Sequence, residues 1–397
     1  MARVRVRRRG RREPQLNRPH AGWVDDDREV VELARRLRDV DSYCLDTEFH
    51  RERTYFPQLA LIQINVDGDI FLVDPTVISE SSIVELFDNE ALVILHAAQQ
   101  DLDVLQLTCN VRFKQIFDTQ IAAGFVGYTT PSLASLAQRE LGIALPKGDR
   151  LTDWLRRPLS HEQCEYAAAD VEHLPALFSS ISAQLDSVGR GAWAAEACKE
   201  LCERPSSLVD PANAWMRVKD VRTLKPRARG VAQAVAEWRE ARAQKLNIPV
   251  RHVLADLALL GIAQRAPRTV EELSQSRGVD GRYTKGAIAR EILDAVDRGR
   301  EVEVAFPRND VEEYDRDLRP AATLMSAWIS EVAAKEKIET AILATRADII
   351  DYLRGSPTAR LRSGWRADLI GPDLADLVAG SAGIAFDGSG GLRLIRG

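Results

Sequence analysis

The chain has little of the chemistry that soft metals and disulfides require. Among 397 residues there are five Cys and six His. No Cys-x-x-Cys occurs and no His pair stands at zinc spacing, which excludes a zinc finger or ribbon. Cys44, Cys109, Cys164, Cys198 and Cys202 follow no framework pattern, which suits a reducing compartment. Cys198 and Cys202 are one helical turn apart and are expected to pack. No stretch approaches the ~20 apolar residues of a membrane span. An excess of one charge is also missing. There are 54 Lys and Arg against 59 Asp and Glu, a net −5. The surface as a whole is therefore no polyanion magnet, although local basic patches remain possible. The basic start, Met1 to Arg12, lacks the apolar segment of a secretory signal. Residues 1–20 read as a disordered basic tail. The expected location is the cytoplasm, with no membrane association.

What the chain does have is acidic residues in three telling places. The first is Leu45-Asp46-Thr47-Glu48-Phe49, inside a strand-like run. Side chains alternate along a strand, so Asp46 and Glu48 share a face with Cys44, while Tyr43, Leu45, Thr47 and Phe49 take the other. Two carboxylates on one face of an apolar strand are costly unless something neutralises them. The second place is His96-Ala97-Ala98-Gln99-Gln100-Asp101, which follows the buried strand-like run Ala91–Leu95. The third is Tyr166-Ala167-Ala168-Ala169-Asp170, on a helix predicted to start at Ser160 with Gln163 completing a capping box. Tyr166 and Asp170, four apart, share a helix face. The three alanines between them keep that face narrow enough for close approach to a neighbour.

Each motif alone is weak. Asp-x-Glu on a strand is usually an exposed edge, and Tyr-x-x-x-Asp is usually an ordinary helix face. Together they occur in one order, in suitable contexts, within about 125 residues. A set of carboxylates suits Mg²⁺ or Mn²⁺ rather than zinc. His96, at an apolar strand end, reads as a satisfied buried histidine.

The three segments resemble the exonuclease motifs of the DEDD superfamily in its tyrosine-containing branch, and most closely those of the ribonuclease D family. The likeness extends to Arg53–Leu59, Leu61-Ile62-Gln63, Asp118-Thr119-Gln120, Thr152–Leu155 and Arg157-Pro158-Leu159. It covers Trp23 to Leu177 densely. It implies an α/β ribonuclease H-like domain, a mixed sheet flanked by helices. It also implies a 3′–5′ exoribonuclease using two divalent cations. Asp46, Glu48 and Asp170 would hold the cation that carries the attacking water. Asp46 would bridge to the second, Asp101 would support that one partly through water, and Tyr166 would orient the water. Nucleoside 5′-monophosphates would leave RNA 3′ ends, tRNA precursors among them. Lys147, Thr152 and Trp154 resemble a segment that approaches the substrate end. A lysine there would hold a phosphate, and an indole would stack on or buttress a terminal nucleotide. Gln58 and Phe56, beside the first motif, would line the cleft or serve a structural role. The plain alternative for Trp154 is core packing. Two other functions stay open: a DNA exonuclease with the same site, and a noncatalytic RNA-binding scaffold. The first differs only in contacts to a 2′-hydroxyl. Against the second, none of the four acids is missing.

The coarse reading of elements agrees. Strand-like runs are Tyr43–Phe49, Gln58–Val66, Ile70–Val73 and Ala91–Leu95, with Asp67-Gly68 as a hairpin turn. Helix-like runs cover about 98–107, 118–126, 131–141 and 161–181, with Thr130-Pro131 as a helix start. The exonuclease domain is expected over 21–205. After Arg204–Ser207 helical periodicity takes over. Residues 211–300 resemble an HRDC domain, a small helical bundle able to bind nucleic acid. Its expected stripes are Val231, Ala234, Val235 and Trp238, then Val253, Leu254, Leu257 and Leu260. Residues 312–397 resemble a second, more divergent HRDC-like helical domain, with Leu324, Trp328 and Ile329 on one stripe and Ile349, Tyr352 and Leu353 on another.

Overall fold

The structure, a computed structural model, describes residues 21–146, 152–305 and 310–397, with the backbone alone over 310–316. The expectations for the tail over 1–20 and for Lys147 lie outside the described residues.

Among the described residues, six strands form the first sheet: β1 (Ala21–Val24), β2 (Ser42–His50), β3 (Gln58–Val66), β4 (Asp69–Val73), β5 (Leu92–Leu95) and β6 (Ile116–Asp118). Their order is β1-β4-β3-β2-β5-β6. The β2–β3 and β3–β4 pairs are antiparallel, and the other three pairs are parallel. The sheet is thus mixed, as expected. The β3–β4 hairpin turns on Asp67 (φ 53°) and Gly68 (φ 88°), both in the left-handed region that a tight hairpin turn demands. β1 and β6 escape a reading by periodicity because four and three residues give too few alternations.

Among the described residues, eight helices flank this sheet: α1 (Asp27–Arg38), α2 (Glu80–Leu86), α3 (Gln99–Cys109), α4 (Thr119–Gly124), α5 (Leu133–Leu141), α6 (His161–Glu172), α7 (Leu174–Ser187) and α8 (Gly191–Cys202). Val30, Leu33 and Leu37 of α1 pack with Tyr43, Leu45, Ile62 and Ile64 on one face of the sheet. Leu174, Leu177 and Ile181 of α7 pack with Cys44 and Ile94 on the other. Two helix expectations need correction. The run 161–181 is two helices, broken at His173, with Pro175 in the first turn of the second, where its missing N–H does no harm. The helix placed at Pro131 starts two residues later. Ser132 is its cap, accepting from the Ser135 N–H, and Thr130 sits at φ 37°.

The next five helices, α9 (Pro226–Leu246), α10 (Val250–Val253), α11 (Asp256–Arg265), α12 (Val270–Ser274) and α13 (Gly286–Arg300), enclose a core of their own. Here the expected Leu257 stripe is wrong: Leu257 is 49% exposed, and Ala258, Leu259 and Ile262 are buried instead. Leu254 is extended, so the helical period restarts at Asp256 and the face rotates. The bundle clasps the loop after β2. The Tyr55 hydroxyl donates to Glu240 of α9 at 2.6 Å, and the Phe56 N–H donates to Asn247 at 3.0 Å.

The last helices are α14 (Asp310–Glu336), α15 (Thr340–Leu343), α16 (Arg346–Leu353) and α17 (Gly364–Ala379), followed by a hairpin of β7 (Ala382–Phe386) and β8 (Leu392–Arg396). The helical reading passed over this hairpin. In the expected α14 stripe Leu324 is exposed, and Met325 is buried beside Trp328 and Ile329. These helices share one core with the exonuclease region rather than closing a separate one. Trp365 stacks on Trp193 at 5.3 Å and meets Phe125 edge-on at 5.0 Å. Arg366, fully buried, pairs with Glu200 of α8 at 2.6 Å.

Candidate active site

β2 carries Asp46 and Glu48 toward the face covered by α6. That helix starts as its sequence dictates, with both halves of the Ser160–Gln163 capping box formed. Ala167 and Ala168 are buried against the sheet, so α6 lies close enough to bring Asp170 to β2. Ligand oxygens of Asp46, Glu48 and Asp170 fall within 4.8 Å of one another. Three carboxylates separated by up to 124 residues of chain therefore meet in one cleft.

Asp101 arrives differently. β5 pairs with β2 only as far as Cys44–Ile94. Beyond that point the β2 edge is open. α3 starts there, and Asp101 takes the place of the missing strand. One of its oxygens accepts from the Thr47 N–H at 3.1 Å and from the Thr47 hydroxyl at 2.5 Å. Asp101 is 6% exposed. It stands outside the trio of ligand oxygens, yet its charge raises the pKa of Asp46, Glu48 and Asp170.

The electrostatics follow from this crowding. Burial, then the Asp101, Asp170 and Glu48 charges, push Asp46 well above the usual carboxylate range. Burial, then Asp170 and Asp101, push Glu48 up to about 8. Burial pushes Asp101 up to about 7, against the Thr47 hydrogen bonds. Burial pushes Asp170 up to about 7, with Asp101 adding to it and Tyr166 opposing. Among the described residues no Lys or Arg pairs with Asp46, Glu48 or Asp170. Like charges held this close and this dry call for a cation. Oxygen-only donors favour a hard one. The residues present thus fit a divalent-metal centre.

Tyr166 stands on the Asp170 side of the cluster. Burial, then Asp170, Glu48 and Asp46, push its phenol further above its ordinary value of 10. Its ring packs 6.0 Å from that of Trp154. Trp154 is 8% exposed and belongs to a small core with Leu61, Leu72, Cys164 and Ala167. The indole thus backs the Tyr166 ring and is mostly covered. Thr152 is half-buried, as is Gln58, which opens β3 opposite His50. His50 reaches toward Asp153, Nε2 to Oδ1 3.7 Å, and so ties the 152–154 segment to the end of β2.

Two functional supports were missed by sequence reasoning. Asp118, fully buried, accepts from the backbone N–H groups of Ala97, Ala98, Gln120 and Ile121 at 2.8–3.2 Å. It fixes the turn at Ala97 (φ 57°) that launches α3 and hence aims Asp101. The Asp-Thr-Gln triplet signals a helix cap, but not its second duty across the sheet. Thr47 is the other support, and only its place between the two acids hinted at it. His96 is satisfied as expected, with Nδ1 2.9 Å from the Thr119 hydroxyl and Nε2 3.1 Å from the Pro131 carbonyl.

Comparison with known proteins bears directly on this site. The family model for a 3′-5′ exonuclease matches residues 21–186, and that for an HRDC domain matches residues 228–296. Ribonuclease D of Jannaschia sp. is 37% identical over 385 residues, covering 93% of this chain and 98% of the relative. Ribonuclease D of Granulibacter bethesdensis is 32% identical over 388 residues, covering 93% and 95%. Among solved structures, Escherichia coli RNase D, described as an exoribonuclease involved in structured RNA processing, aligns with a TM-score of 0.79 and 28% identity. That alignment covers 91% of this chain and 99% of the other. A protein from Bifidobacterium adolescentis shares the fold, with a TM-score of 0.67 at 21% identity over 90% of this chain and 97% of its own. With an exonuclease unit, an HRDC unit and relatives of this identity along nearly the whole length, the chain belongs to the ribonuclease D family of 3′–5′ exonucleases.

Proposed function

We propose that this exoribonuclease hydrolyses the terminal phosphodiester of RNA 3′ ends, tRNA precursors included, at the Asp46–Glu48–Asp101–Asp170 cluster, with two divalent cations, Mg²⁺ or Mn²⁺. The DEDD superfamily is metal-dependent, and the single observation that carries the reading is the approach of three carboxylates to within 4.8 Å. Asp46, Glu48 and Asp170 hold one cation. Asp46 would also serve a second, which Asp101, one of whose oxygens is held by Thr47, would support. Bound there, such a pair would supply an activated water and charge neutralisation for the departing 3′ oxygen of an in-line displacement.

The protein's own side chains do the rest. Tyr166 stays a neutral phenol at pH 7–8, since its pKa is pushed above an already high value. It orients the attacking water by hydrogen bond and does not act as a base. Trp154 holds the phenol ring in place. Thr47 holds Asp101 directly, and Asp118 holds the Ala97-Ala98 turn that leads into its helix. No helix among the described residues is long and apolar enough to cross a membrane. We assign the enzyme to the cytoplasm, which suits its five unpaired cysteines.

The test is incubation with a tRNA carrying a 3′ extension, with Mg²⁺ or with EDTA, beside a DNA strand of matched sequence. Mononucleotides are expected from the RNA with Mg²⁺ alone. Asp46→Ala should keep the fold and release none. Equal release from that variant, or preferential degradation of the DNA, contradicts the proposal.

A further inference from the structure

Behind the carboxylates lies a group that the mechanism above does not use. Gln63 is fully buried in the middle of β3, and neither its Nε2 nor its Oε1 has a hydrogen-bond partner. Buried side-chain amides are almost always satisfied, so one with both ends free asks for an explanation. Its surroundings supply one. In the β2–β3 register Gln63 stands directly opposite Asp46. Residues opposite one another in an antiparallel pair point to the same face, with Cβ atoms about 5 Å apart. On the other side its partner in β4 is Leu72. Its neighbours on the same face of β3 are Leu61 and Asn65. Leu61 and Leu72 belong to the apolar cluster with Trp154 and Ala167. The Asn65 amide is already committed, donating to the Val171 and Glu172 carbonyls and accepting from the Gly68 N–H. Of the side chains that the sheet sets around Gln63, the carboxylates of Asp46, directly opposite, and Glu48, on the diagonal, have polar capacity left, and Asp46 is the nearer in register.

We propose that Gln63 is a positioning residue for the metal centre: its amide, unpartnered in the cation-free fold, turns when the cations are bound to donate an N–H to the Asp46 carboxylate opposite it and hold that carboxylate in place. This rests on the metal-centre reading given above. A ligating carboxylate that bridges two ions must present its oxygens in a fixed plane. A rigid donor behind it removes the freedom to turn away, as hydrogen-bonded partners behind metal ligands commonly do. β3 is suited to the task. It is the interior strand between β2 and β4 and is buried almost throughout, so Gln63 cannot drift. An apolar residue would pack better against Leu61 and Leu72, and the amide at this position serves the carboxylate instead.

The test separates positioning from packing. Gln63→Met keeps the length and removes the amide. Gln63→Asn keeps the amide and shortens its reach, and provides a second reading should the methionine variant not fold. Mn²⁺ affinity of the full chain is measured by calorimetry with no RNA present, beside thermal melting in EDTA. Gln63→Met is expected to melt at or above the wild-type temperature, because an unsatisfied buried amide has been replaced by an apolar group. Its Mn²⁺ affinity is expected to fall about tenfold to a hundredfold. RNA trimming should fall with it at low Mn²⁺ and recover as Mn²⁺ is raised. Wild-type Mn²⁺ affinity in both variants overturns the inference, as does a loss of melting temperature with affinity unchanged. Asp46→Asn in the same titration keeps the two readings apart. If it abolishes Mn²⁺ binding while the Gln63 variants bind normally, only the role of Gln63 fails. If it binds Mn²⁺ like wild type, the metal centre itself is refuted and Gln63 with it.

Discussion

Asp170→Asn should make the cation-free protein more stable at pH 8 while destroying its activity. In the fold without a cation, Asp170 is pushed up from 3.8 to about 7 by burial and by Asp101. Below about pH 4 the carboxyl is protonated in folded and unfolded chains alike. Between about 4 and 7 the folded form keeps a proton that the unfolded form has lost, so stability falls as pH rises through this window. The shift is about 3 units at ~1.4 kcal/mol each, or about 4 kcal/mol in all above pH 7. Asparagine keeps the size and removes the charge. Because the Asp170 side chain is itself partly exposed, we take about half of that value, a gain of about 2 kcal/mol. At roughly 2–4 °C per kcal/mol for a domain of this size, the transition should rise by about 4–8 °C. Thermal melting in EDTA at pH 5 and pH 8 measures it. The difference between wild type and variant should be about a third as large at pH 5 as at pH 8. Added Mn²⁺ should then raise the wild type by mass action and leave the variant nearly unmoved. A variant that melts below wild type at pH 8, or a difference that is the same at both pH values, would refute the electrostatic argument.

Two further outcomes are expected. Tyr166→Phe removes one hydroxyl from a ring still packed on Trp154; kcat should drop by about 10²-fold or more with Mn²⁺ affinity kept, and a wild-type kcat would take the tyrosine out of the chemistry. Asp118→Ala strips four backbone N–H groups of their acceptor. It should cost about 3 kcal/mol or more in urea melts and speed hydrogen exchange at Ala97 and Ala98. Unchanged exchange there would mean that Asp118 does not hold the start of α3.

The readings that survived contact with the structure are local ones. Gln58–Val66 is a largely apolar, β-branched run and forms β3 with those ends. The Ser160–Gln163 box caps α6 because both partners lie within one turn. Alternation along β2 put Asp46 and Glu48 on one face, and the four-residue step put Tyr166 and Asp170 on another. The errors fell where a local rule meets a neighbour. Leu257 and Leu324 look like core in a helical wheel and lie outside, because Leu254 breaks the period in one case and Met325 fills the core in the other.

The amino-acid order fixed which residues are acidic, which segments are strands or helices, and which side chains share a face, since all of these depend on the chain within a few residues. It carried no distance between β2, α3 and α6. Folding supplied that, by ending β5 at Leu95 so that Asp101 meets the open edge at Thr47, and by using small alanines to seat α6 over β2. The raised pKa values, the burial of Trp154 and the stranded amide of Gln63 exist only in that packed arrangement. Each is a property of groups distant in sequence and forced together in a medium that water scarcely enters, where charge and unmet hydrogen bonds weigh far more than they do along an extended chain.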